Sequence, residues 1–198
     1  MKTTSFTSKL LVLGALLLAG APFAGFAGLP KDLTKTTRLT APPSGKALVN
    51  FHRPSSWGGA ERFAIFGQDG KMLIDLPGGC EFQYVCDPGE HVFIAWADHV
   101  TVIKADVAAD KIYDIMIDIG MGAWRANIQL IPLVKGDARR DKLADYERRE
   151  KKVVALNRNK HVEDYEEKSQ SRIEQIKKDF LGGDKSDRVT KMSKDDCR

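Results

Sequence analysis

Residues 111–133 read Lys111-Ile112-Tyr113-Asp114-Ile115-Met116-Ile117-Asp118-Ile119-Gly120-Met121-Gly122-Ala123-Trp124-Arg125-Ala126-Asn127-Ile128-Gln129-Leu130-Ile131-Pro132-Leu133. Tyr113, Ile115, Ile117 and Ile119 alternate with Asp114, Met116 and Asp118. After the Gly120-Met121-Gly122 turn, Trp124, Ala126, Ile128 and Leu130 alternate with Arg125, Asn127 and Gln129. Two period-two runs around a glycine turn predict a β-hairpin with one buried face and one wetter face.

Working outward, the segments before this hairpin predict further strands. Residues 47–51 form the first, and 62–66 and 72–76 flank the short connection Gly67-Gln68-Asp69-Gly70. Pro77-Gly78-Gly79 leads into residues 80–86, and Asp87-Pro88-Gly89 supplies the next turn. Residues 91–97 are apolar on both faces, which suits the middle of a sheet. Residues 101–107 come next, then a turn at Ala108-Ala109-Asp110. About eight short strands with regular turns predict a mainly β fold. The expected class is an antiparallel β-sandwich of the prealbumin or immunoglobulin-like kind, over residues 45–135. That domain is expected to end near residue 133 and to fold alone.

At Gly136 the composition turns charged. Residues 138–181 hold no proline or glycine, so the pattern predicts a long α-helical arm over 136–181. Acidic-then-basic pairs four apart, such as Asp145 with Arg149 and Glu174 with Lys178, support it. Its apolar stripe is thin: Leu143, Tyr146, Val153, Tyr165, Ile173 and Ile176, with Val162 and Phe180. The spacing slips near 157–160, which argues for a bend there. The stripe is a candidate contact surface for an envelope protein or a second copy. Gly182-Gly183 ends the arm, and residues 182–198 read as a disordered tail.

Lys2 and Lys9 precede an apolar run over residues 10–19, then Pro22 and small residues up to Ala27. This is the order of a secretory signal over residues 1–27, followed by an extended linker over 28–44. The run is short for a membrane span, so no stable membrane insertion is expected after cleavage. The expected location is periplasmic or secreted. The chain's 31 basic and 27 acidic residues give a net charge of +4. No basic cluster interleaved with aromatics suggests nucleic acid. Export permits disulfides. Cys80 and Cys86 lie on one face of a strand about 20 Å long, too far apart to bond unless it breaks. Buried free thiols are expected there, and Cys197 is a candidate for an intermolecular disulfide.

No catalytic, cofactor or metal constellation emerges. The histidines are His52, His91, His99 and His161; His91 and His99 have no cysteine or carboxylate at metal-ligand spacing, and the set reads as turn or surface residues. Asp114 and Asp118 stand about 13 Å apart on a strand and read as solvated. Nucleophile elbows, phosphate loops and dinucleotide fingerprints do not occur. Trp57, in a glycine-rich loop, and Arg53 are the candidate ligand contacts.

Ala47-Leu48-Val49-Asn50-Phe51-His52-Arg53-Pro54, the Asp69-Gly70 hairpin, Asp87-Pro88-Gly89-Glu90-His91 and Lys111-Ile112-Tyr113 together resemble a bacterial envelope family, the domain of unknown function twenty-eight forty-six. The resemblance spans about residues 45–133. It implies a small β-sandwich in secreted proteins and lipoproteins, with no catalytic residues to carry over. This chain lacks a lipid-attachment cysteine, its first being Cys80. The expected function is therefore a non-enzymatic, exported cell-envelope interaction module. The alternative is a periplasmic glycan- or peptide-binding module using the loop around Trp57.

Overall fold

The structure is a computed structural model that describes residues 31–55, 63–96, 99–121 and 126–198; for 119–121 and 126–128 it describes the backbone alone. Trp57, Trp124 and the leader-like residues 1–27 lie outside the described residues.

Two sheets pack face to face. The first holds six strands: β1 (Leu33–Thr36), β2 (Ala47–Arg53), β5 (Cys80–Cys86), β8 (Ile112–Met121), β9 (Ala126–Pro132) and β10 (Lys152–Leu156), in the order β1-β10-β5-β2-β8-β9. The second holds β3 (Phe63–Phe66), β4 (Met72–Leu76), β6 (Gly89–Trp96), β7 (Val100–Val107) and β11 (Thr190–Met192), in the order β11-β7-β6-β3-β4. Alternation decides which residues enter the shared core. Val49 and Phe51 of β2, Phe82 of β5 and Tyr113, Ile115 and Ile117 of β8 meet Ile65, Phe93, Ile103 and Ala105 from the opposite sheet. Cys80 and Cys86 face the same core as free thiols, since the strand between them is continuous.

Each outer face is roofed by a helix. On the six-stranded sheet α1 (Leu143–Arg149) packs Leu143 and Tyr146 on Met116 and Leu133. On the five-stranded sheet α2 (Lys160–Leu181) packs Val162, Ile173, Ile176 and Phe180 on Phe66, Val92, Ile94 and Val102. The buried positions of α2 are 162, 166, 169, 173, 176 and 180, alternating four and three apart, the single stripe of one helical face. Two of them are polar. Glu166 accepts from the Met72 backbone N–H at 2.7 Å and pairs with Arg158 at 2.6 Å, tying the helix to β4.

This architecture overturns the expected antiparallel sandwich with a long helical arm. Eleven strands occur among the described residues, and both sheets are mixed: β10–β5, β2–β8 and β11–β7 pair in parallel. Residues 136–181 are not one helix. They form a 3-10 turn (Ala138–Lys142), α1, the strand β10 and α2. The break follows from local chemistry. Lys152-Val153-Val154-Ala155-Leu156 carries two adjacent β-branched residues suited to a half-buried strand. Asn159 then caps α2, its side chain accepting from the Val162 N–H at 3.1 Å. The spacing slip at 157–160 marks that cap. The expected linker at 28–44 supplies β1, which pairs with β10 from Leu33 opposite Leu156. The expected disordered tail supplies β11, a parallel neighbour of β7.

The sequence-derived interaction stripe is distributed over this fold. Leu143, Tyr146, Val153, Ile173 and Ile176 are buried by the chain's own sheets. Tyr165 is 40% exposed and stacks on Phe66. Cys197 is a half-buried free thiol at the edge of the central core.

Candidate functional site

The parity that points Val49 and Phe51 into the core points Asn50 and His52 the other way, toward α1. Their strand neighbours carry polar residues at matching positions. Gln83, Asn50 and Asp114 form one row across β5, β2 and β8, and Glu81 lies opposite His52. Five polar side chains thus share a patch of the sheet's outer face. Asn50, His52 and Glu81 are fully buried there, and Asp114 is 3% exposed.

Three segments cover the patch. Helix α1 brings Glu147 over it, and Glu150 follows directly at the helix end, held by its N–H to the Tyr146 carbonyl at 2.9 Å. The chain after β1 brings Arg38, pinned because the Leu39 N–H donates to Gln83 Oε1 at 2.7 Å and Gln83 Nε2 donates to the Leu39 carbonyl at 3.1 Å. Arg198 is anchored by its backbone N–H to the Ile112 carbonyl at 2.9 Å. Gly79 braces the floor: its N–H donates to the Arg53 carbonyl at 2.8 Å and its carbonyl accepts from Lys151 at 3.1 Å. Its φ of +71° suits a residue without Cβ.

His52 is the hub. Nε2 lies 3.0 Å from Asp114 Oδ1 and Nδ1 lies 3.0 Å from Glu150 Oε2. Asp114 Oδ1 also accepts from Asn50 Nδ2 at 3.0 Å, and its Oδ2 lies 3.3 Å from Arg198 Nε. Arg198 Nη1 pairs with Glu147 at 2.8 Å. Arg38 Nη2 forms an ion pair with Glu81 Oε2 at 2.5 Å. Both Glu81 oxygens and Glu150 Oε1 are buried without a hydrogen-bond partner among the described residues. Glu81 Oε1 and Glu150 Oε1, which also lack a cation against them among the described residues, each cost on the order of 1–3 kcal/mol.

Burial alone would lower the His52 pKa, but the Asp114 and Glu150 carboxylates outweigh it and raise it to about 9. Burial lifts Glu81 to about 7 against the pull of His52 and Arg38. Glu150 is raised by burial despite its bond to His52. Burial pushes Asp114 up too, yet His52 and Arg198 hold it below the usual carboxylate range.

These shifts carry a pH dependence. The folded His52 value lies above its ordinary 6.5, so its contribution is complete below about 6.5 and is lost as pH rises toward 9. Glu81, also raised, disfavours the folded state as pH climbs from its ordinary 4.5 through about 7. Asp114 acts oppositely, in acid. We expect the chelator-treated protein to lose about 3 kcal/mol of unfolding free energy from His52 between about pH 6 and 9.5. Urea unfolding at stepped pH measures this, and a flat profile contradicts the ion-paired description.

The sequence reading missed this centre. His52 was expected at a turn or surface and is fully buried; Asp114 was expected in solvent and is sealed. Glu81, Glu150, Arg38 and Arg198 were not singled out. The signal available was polar residues at alternate positions of three strands, Asn50 and His52 of β2, Glu81 and Gln83 of β5, and Asp114 and Asp118 of β8, beside strands too apolar to stand in water. Arg53, a candidate ligand contact, is fully buried on the other face of β2 and donates Nη1 to the Leu76 carbonyl. Trp57 lies outside the described residues, so the pairing of those two residues in one contact surface is not on view. No helix among the described residues is long and apolar enough to cross a membrane. No family model matches the chain, and no match was found among curated proteins or solved structures.

Proposed function

We propose that this chain is a non-enzymatic, exported cell-envelope module that works by binding, with the His52 centre as its functional core. The observation that carries the reading is the sealing of that centre. A general acid or base must touch the atom whose proton it moves. His52, Glu81 and Glu150 have fully buried side chains beneath Arg38, α1 and Arg198. Groups so enclosed hold something small in place more readily than they turn over a substrate.

The compartment rests on the leader-like order of residues 1–27. The family resemblance adds little weight beside it, since no family model matches. We expect expression of the full chain in a bacterial host to give a periplasmic or secreted protein beginning near Gly28. Mass spectrometry of its N-terminus checks this, and an intact Met1 in the membrane or cytoplasmic fraction overturns it. Intrinsic tryptophan fluorescence of the exported protein, titrated with envelope glycans and peptides, tests for larger ligands. A saturable shift abolished by Trp57→Ala favours the loop around Trp57 as a contact.

A further inference from the structure

We infer that His52, Glu81 and Glu150 form a binding site for one divalent transition-metal ion of the zinc class, with Asp114 as the residue that orients His52. The inference deepens the binding reading above and rests on it. One atom from each of the three residues lies within 4.8 Å of the other two. They come from β2, β5 and the end of α1, and all three side chains are fully buried. A tetrahedral zinc ion at about 2.0–2.2 Å from its nitrogen and oxygen ligands separates them by roughly 3.4 Å. His52 Nδ1 and Glu150 Oε2 already stand 3.0 Å apart. Ligand atoms that now lie up to 4.8 Å apart would close to roughly 3.4 Å around the ion.

The surroundings point to a ligand as well. Glu81 Oε1 is a buried carboxylate oxygen with no hydrogen-bond partner among the described residues, and Glu150 Oε1 has none beyond the approach of the Arg53 backbone N–H to its carboxylate. Arg38 engages the other Glu81 oxygen and leaves Oε1 for an ion. The Nε2–H of His52 donates to Asp114 Oδ1, itself held by Asn50 and Arg198. With Nε2–H held there, Nδ1, which faces Glu150, is the nitrogen that would give up its proton to an ion, the arrangement in which a carboxylate steadies a metal-bound histidine.

Charge favours the same conclusion. Asp114, Glu147, Glu150 and Glu81 supply four negative charges when ionised, against Arg38, Arg198 and protonated His52. A divalent cation that displaces the His52 proton to solvent brings four positive charges to face four negative. The imidazole nitrogen selects a transition ion over Ca2+ or Mg2+, which prefer all-oxygen sites.

The test uses untagged full-length mature protein, stripped with chelator and desalted. Co2+ is titrated in, followed by visible absorption and equilibrium dialysis, and then displaced with Zn2+. We expect one equivalent of Co2+ with the absorption of a protein-held site, full displacement by Zn2+, no displacement by excess Ca2+, and a higher melting temperature with Zn2+. Glu150→Gln and Glu81→Gln are expected to weaken binding at least about 100-fold, and Asp114→Asn by about 10- to 100-fold. Glu81→Gln leaves the His52 hydrogen bonds to Asp114 and Glu150 in place, and circular dichroism confirms that the variant is folded. Failure of folded wild-type protein to take up Co2+ overturns the inference. So does unchanged binding in folded Glu81→Gln, which marks the metal as adventitious at the surface. If metal does not bind but a glycan or peptide saturates the fluorescence signal, this site falls and the binding reading stands. If metal binds and such a ligand is hydrolysed, the site stands and the non-enzymatic reading falls.

Discussion

Protein ending at Lys135 is expected to show no cooperative unfolding transition, whereas the full chain melts as one unit. The sequence reading expects the opposite, a self-sufficient β domain. The difference lies in what residues 136–198 bury. Strand β10 sits between β1 and β5, so its loss strips β1 of its partner and exposes the edge of β5. Val162, Ile173, Ile176 and Phe180 cover the outer face of the five-stranded sheet, and Val154 enters the central core. At roughly 1.5–3 kcal/mol for each buried apolar side chain, these five alone contribute on the order of 10 kcal/mol. That matches or exceeds the net stability of a typical domain, about 5–15 kcal/mol. Scanning calorimetry of both proteins decides the matter. A sharp transition in the shorter one shows that the C-terminal third is an addition to the fold.

His52→Leu is expected to cost about 3–5 kcal/mol, the largest effect of any single substitution considered. Leucine fills most of the space but leaves Asp114 Oδ1 and Glu150 Oε2 facing an apolar side chain in a sealed site. Removing one partner of a buried ion pair is costly because the other charge stays uncompensated. The loss should be greatest near neutral pH: it shrinks in acid, where the stranded carboxylates take up protons, and again as pH rises toward 9, where the wild-type protein itself forfeits the His52 contribution. Adding Glu150→Gln to His52→Leu should recover part of it, since the two residues are in contact and their effects do not add. Urea unfolding of the metal-free proteins at acid, neutral and raised pH measures these trends. A loss under about 1 kcal/mol at neutral pH shows that the centre is not electrostatically tight.

Much of the strand pattern was legible because alternation is a local signal. The run Tyr113, Ile115, Ile117 marks the buried face of β8, and Val49 and Phe51 mark that of β2. Pairing direction was not legible. Nothing within β2 states that its neighbours are β5 in antiparallel and β8 in parallel register. Short strands in charged surroundings were hidden for a related reason. In Lys152-Val153-Val154-Ala155-Leu156 the two valines fit a helical stripe and a strand equally well, and the long charged context favoured the helix. The Asn159 cap was visible only as a slip in spacing. Along α2 the buried face includes Glu166 and Ser169, so an apolar-only reading drew in Tyr165, which is 40% exposed.

The charged centre was hidden more deeply. Its members are spread from Arg38 to Arg198, and each reads alone as an ordinary surface residue. Asp114 alternates with isoleucines as a solvent-facing residue should. What places it indoors is the second layer, α1, laid over that face of the sheet. A sheet's outer face can stay polar beneath a helix when the helix brings matching charge. Glu147 and Glu150 bring that charge here, and Arg38 and Arg198 complete it.

The decisive property of the buried centre is the protonation of the His52 ring. Long-range proton–nitrogen correlation spectra of the chelator-treated protein report both imidazole nitrogens. Nδ1 and Nε2 are both expected to carry protons at about pH 7.5, held by Glu150 and Asp114, with the ring titrating near 9. A neutral, single-tautomer ring at that pH, or a midpoint at or below the ordinary 6.5, contradicts a charged, ion-paired centre.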